Sequence, residues 1–95
     1  MIQDSAVREA ISALDAVAAG RWPLARAELQ DSGTFLLLLV DAEVPKDTFD
    51  EELREGVARQ LNSIVPASPE QMLGSWMVVF KTGGNVYESL LPSAR

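Results

Sequence analysis

Five carboxylates crowd one short stretch of the chain: Asp47, Asp50, Glu51, Glu52 and Glu55. A helix there sets Glu51 and Glu55 on one side, with Glu52 adjacent. Such a face can dock a basic partner or hold a cation weakly. It is also what a solvated helix start looks like, because acidic side chains near an N-terminus complement the helix dipole. A second feature is Thr82-Gly83-Gly84-Asn85, a turn whose backbone N–H groups can cradle an anion. It lacks P-loop spacing and does not lead from a strand into a clear helix, so an ordinary hairpin turn is the competing reading. Trp22 and Trp76 read as anchors of a core or an interface, and an exposed Trp76 would point to a binding surface.

The chain has no histidine and no cysteine. Disulfides and thiolate metal sites are therefore excluded, and the usual general base near neutral pH is missing. Zinc and haem lose their commonest ligands. A hydroxyl nucleophile would need an unusual lysine base, and only Lys46 and Lys81 are present, both at strand ends. The expectation is a non-enzyme with no catalytic residue, no cofactor and no metal site. The candidate partner-binding residues are then Asp50, Glu51, Glu52, Glu55 and Trp76, with Thr82, Gly83, Gly84 and Asn85 as a possible turn site.

The charge balance narrows the partners. Fourteen acidic and eight basic residues give a net charge of −6 over 95 residues. That disfavours nucleic acid, whose phosphates need a basic surface, and anionic membranes for the same reason. A protein partner is expected, and a homodimer is compatible with free edge strands and a small core. The apolar run Phe35–Val40 is far too short to span a bilayer. Residues 1–20 carry Asp4, Glu9 and Asp15 where a basic, apolar leader would lack them, so a cytoplasmic location is expected.

The elements that must position these residues follow from periodicity. Val7, Ala10, Ile11, Leu14, Val17 and Ala18 share one face of a helix over 4–19, with Asp4 or Ser5 as cap and Gly20 as stop. Residues 22–30 fit either a short helix opened by Pro23 or a strand with Ala25, Ala27 and Leu29 inward. The Asp31-Ser32-Gly33 turn that follows favours the strand. Residues 34–44 form the clearest strand, central and covered on both faces over Leu36–Leu39, and ended by Pro45.

A second helix over 48–64 opens with a Thr48/Glu51 capping box and buries Phe49, Leu53, Val57, Leu61 and Ile64. The pairs Asp50–Arg54 and Glu55–Arg59 lie at favourable spacing on it. Ser68-Pro69-Glu70-Gln71 offers one more short helical turn, stopped by Gly74. Residues 75–81 and 86–91 read as strands flanking the glycine turn. The expected fold is a single α+β domain over residues 1–95. It has two layers in the order helix-strand-strand-helix-strand-strand, with both helices on one face of a small mixed sheet.

This order resembles the small C-terminal subdomain of the acyl-adenylating ligases, the acyl-CoA synthetase and adenylation-domain group. Arg8-Glu9-Ala10-Ile11-Ser12-Ala13-Leu14 is similar to the family's first helix. Phe35–Val40 is similar to its core strand, and Asp50-Glu51-Glu52-Leu53-Arg54 to its second helix opening. The resemblance implies a lysine after the last turn that contacts the acyl-adenylate. Here Asn85 stands in that place and Lys81 falls on the wrong side of the turn, so the positive charge is missing. The resemblance therefore implies a catalytically silent subdomain working in trans. The residues themselves point first to a non-catalytic protein-interaction module of accessory, inhibitor or immunity type. A homo-oligomeric structural subunit is the third expectation.

Overall fold

The computed structural model describes residues 2–18, 21–41, 50–65, 74–82 and 85–92. The elements run α1 (Asp4–Ala18), β1 (Leu24–Gln30), a 3₁₀ turn (Asp31–Gly33), β2 (Phe35–Asp41), α2 (Glu51–Ile64), β3 (Trp76–Thr82) and β4 (Asn85–Leu90). The sheet is ordered β1-β2-β3-β4. The two outer pairs are antiparallel hairpins, and β2 and β3 run parallel at the centre, joined through α2. This is the α+β architecture expected from the sequence, with α1 and α2 packed together on one side of a mixed sheet.

The core is made by alternation. Along β2, Leu36, Leu38 and Val40 point inward and are fully buried; along β3, Trp76, Val78 and Phe80 do the same. Facing them are Ala10, Leu14 and Ala18 of α1 and Leu53, Val57, Ala58 and Leu61 of α2, at the three- and four-residue spacing that aligns a helix face. Trp22, just before β1, lies edge-on to Phe80 with ring centroids 4.8 Å apart. Each such large side chain contributes roughly 1.5–3 kcal/mol through burial.

Trp76 also satisfies its polar atom: its Nε1–H donates to Asn62 Oδ1 at 3.0 Å. The Asn62 amide in turn donates to the Pro92 carbonyl at 3.4 Å, which ties α2 to β3 and to the segment after β4. Gly74, at φ +104, lets the chain enter β3 beside Pro92, where a Cβ would run into the proline ring.

Three local expectations need correction. Residues 24–30 are indeed a strand, with Arg26, Glu28 and Gln30 outward and Ala27 and Leu29 on the helix side as predicted. A register shift between Leu24 and Arg26 takes Ala25 out of the alternation and brings Leu24 to the core, and Leu29 stays exposed despite its side. β2 is central, but its second face is only half-buried at Phe35, Leu37 and Leu39, because both helices lie on the other side. α2 is capped by Asp50, with Thr48 outside the described residues. The Asp31-Ser32-Gly33 connection holds two non-glycine residues at positive φ, Asp31 at 53° and Ser32 at 59°. Gly20, residues 42–49 and the predicted turn at 68–73 also lie outside the described residues.

Candidate functional site

The acidic cluster divides once the helix start is drawn. Asp50 is the N-cap of α2: one carboxylate oxygen accepts from the Leu53 backbone N–H at 3.2 Å. The other accepts from Arg21 Nη2 at 3.1 Å, which fastens the end of α1 to the start of α2. The Leu53 N–H and then the Arg21 guanidinium hold the Asp50 carboxyl below its ordinary range. Asp50 thus serves its own fold, and the docking face predicted from sequence loses it. Glu51, Glu52 and Glu55 stay exposed along the first turns of α2, and Asp47 lies outside the described residues.

Trp76 leaves the candidate set. It is 1% exposed, and its indole N–H is already bonded to Asn62, so it anchors the core and not a partner. The glycine turn is a hairpin connection: Thr82 and Asn85 close it as the last cross-strand pair of β3 and β4. Gly83 and Gly84 lie outside the described residues, and Asn85 is exposed at the start of β4. Lys81 falls opposite Asp41 in the β2–β3 register and opposite Val86 in the β3–β4 register.

Two surfaces emerge that the linear pattern did not single out. The first is a shallow groove of about 450 Å³ where α1 meets the end of α2, lined by Ser5, Arg8, Glu9, Ser12 and Ile64. It brings an ion-forming pair and two hydroxyls beside one apolar side chain, and it opens broadly to solvent. Ile64 belongs to a different helix from the other four residues, which is why spacing alone does not reveal it.

The second surface is the sheet face away from the helices. Register places Glu28, Leu37 and Met77 in one row across β1, β2 and β3. It places Arg26, Leu39, Val79 and Ser89 in the next. Gln30 stands opposite Phe35 at one end, and Asp41 opposite Lys81 at the other. The middle of this face is apolar and its β1 margin is polar. On that margin Arg26 and Gln30 both reach Glu28, at 3.1 and 2.8 Å.

Leu37, Leu39 and Met77 are half-buried there, and Val79 between Leu39 and Ser89 is buried. A signal for this face exists in the sequence: the Leu36–Leu39 run has apolar residues on both parities. The run predicts cover on both sides, whereas the described helices cover one.

Among the described residues no three acidic side chains converge as ion ligands. No helix among them is long and apolar enough to cross a membrane. Compared with known proteins, the chain matches no family model, no curated protein and no solved structure.

Proposed function

We propose that this protein is a non-catalytic interaction module, of accessory, inhibitor or immunity type, that works by docking on a protein partner. The observation that supports this reading is the sheet face that the described helices leave uncovered. It has an apolar centre of Leu37, Leu39 and Met77, half open to solvent, beside a polar margin of Arg26, Glu28 and Gln30. An apolar middle within a polar rim is the anatomy of a protein contact surface. A flat sheet face offers area rather than a pocket, and area suits a macromolecule better than a small ligand.

The chemistry of the side chains agrees. Glu51, Glu52 and Glu55 add negative charge at the start of α2, which favours approach of a basic partner without fixing its identity. The Asp50 carboxyl, held below its ordinary range, is accounted for by its cap and its ion pair.

The test is affinity capture from the native cell lysate with three baits. These are the wild-type chain, a face variant (Leu37→Thr with Met77→Thr) and a helix variant (Glu51→Gln, Glu52→Gln and Glu55→Gln). Circular dichroism of each bait confirms the fold. A specific protein retained by wild type and lost by the face variant is the expected result. Retention by the face variant at wild-type level removes the sheet face from the proposal, and turnover of any substrate by the isolated chain ends it.

A further inference from the structure

Among the described residues β1 closes one end of the sheet, with β2 on one side and no strand on the other. Such an edge carries unpaired backbone donors and acceptors and is a template for another strand. Proteins commonly protect an edge with a row of like charges, which repel a second copy. Here the row alternates in sign. Arg26 and Glu28 lie two residues apart on the same face, with side chains 65% and 36% exposed. Leu29, on the opposite side of the strand, is 37% exposed, unusually so for a large apolar residue of this chain.

We infer that the protein pairs with a second copy of itself through β1, edge to edge and antiparallel, about a two-fold axis at Ala27. This goes beyond the interaction-module reading, whose sheet face is a separate surface. In a symmetric antiparallel pair the facing residues have numbers with a constant sum, and the axis position fixes that sum. An axis at Arg26 sets Arg26 against itself, and an axis at Glu28 sets Glu28 against itself. The axis at Ala27 sets Arg26 of each copy against Glu28 of the other, twice.

The same register sets Leu29 against Ala25, which the register shift leaves exposed. Both exposed apolar residues of the edge are then covered. Directly opposed opposite charges stabilise a strand pair, and opposed like charges destabilise it. β1 therefore encodes one symmetric register above its neighbours. The two four-stranded sheets become one, and the apolar faces of the two copies lie on the same side of it.

The alternating charges give a test. Sedimentation equilibrium of the wild-type chain across a wide concentration range is expected to reach twice the 10.3 kDa chain mass. Arg26→Glu makes the edge acidic throughout, and Glu28→Arg makes it basic. Each variant alone is expected to dimerise about ten-fold more weakly or worse.

Mixed in equal amounts, the two variants are expected to form a heterodimer, since every facing pair is again of opposite sign. Circular dichroism confirms that each variant is folded. A wild-type chain that stays monomeric overturns the inference, and so does a dimer that both variants leave intact or a mixture that fails to associate. A monomeric wild type that still captures a foreign protein from lysate sinks this inference and leaves the docking function standing. A monomer that captures nothing sinks both.

Discussion

The two faces of the sheet are built from alternate residues of the same strands, yet they have opposite fates. On the inner face Leu36, Leu38, Val40, Trp76, Val78 and Phe80 are at most 1% exposed, sealed by two helices. On the outer face Phe35, Leu37, Leu39 and Met77 are half-buried, one residue along the chain from neighbours that see no water. Val79, on the same face, is buried. Composition does not separate the two sets, since both are apolar. The difference lies in where the helices pack. Burial on the inner side is settled by folding, while the outer side keeps apolar surface that a contact can still remove from water.

If the faces differ this way, truncation should separate them. Phe80→Ala removes a ring packed edge-on against Trp22 and is expected to cost about 3–5 kcal/mol in urea unfolding. Met77→Ala, three residues earlier and on the other face, is expected to cost roughly 1 kcal/mol, in proportion to its partial burial. Equal costs would show that the outer face is as firmly packed as the inner one.

The next largest effect is expected at Gly74, which sets where β3 begins and hence which residues fall on each face. Gly74→Ala forces a Cβ into Pro92 at positive φ and is expected to lower stability by about 2 kcal/mol or more. A thermal scan in which this variant matches wild type would show that Pro92 can move aside.

The helix layer makes a smaller, opposite prediction. Gly56 lies mid-helix in α2, and an added Cβ would sit 3.5 Å from Val17 Cγ1, an ordinary contact. Gly56→Ala is expected to raise stability by about 0.5–1 kcal/mol through helix propensity alone. A loss instead would mean that the α1–α2 contact tolerates no added atom.

The smallest expected effect concerns acid. Because the fold lowers the Asp50 carboxyl from its ordinary value of 3.8, its contribution is present above that value and fades as pH falls through the lowered one. Asp50→Asn keeps the cap and loses the ion pair with Arg21. Its stability should therefore depend less on pH below about 4 in acid titration. An unchanged acid limb would place the titrating groups elsewhere.

Much of this was legible from the sequence because local and global signals agree. The stripe Leu53, Val57 and Leu61 marks a helix, and the alternation through Leu36, Leu38 and Val40 marks a strand. Even the strand over 24–30 followed from the turn after it. What escaped depends on partners distant along the chain. Asp50 reads as part of an acidic patch until Arg21, 29 residues away, is brought against it. Trp76 reads as an anchor of either kind until Asn62 is found at its ring nitrogen. The register shift between Leu24 and Arg26 is invisible to strict alternation, which grouped Ala25 with Ala27 and Leu29. The outer face was visible as an apolar run but not as an open one, since openness depends on where the helices settle.

The parallel seam between β2 and β3 has a kinetic corollary. Paired residues in the β1–β2 hairpin are at most 16 positions apart, and in the β3–β4 hairpin at most 12. Across the seam every partner is 40 positions away, as in Leu36 with Trp76. Closing a long loop carries its entropy penalty before any contact compensates. Refolding should then proceed as two ribbons that form early and zip together late, with Leu38 and Val78 among the last side chains to feel their neighbours.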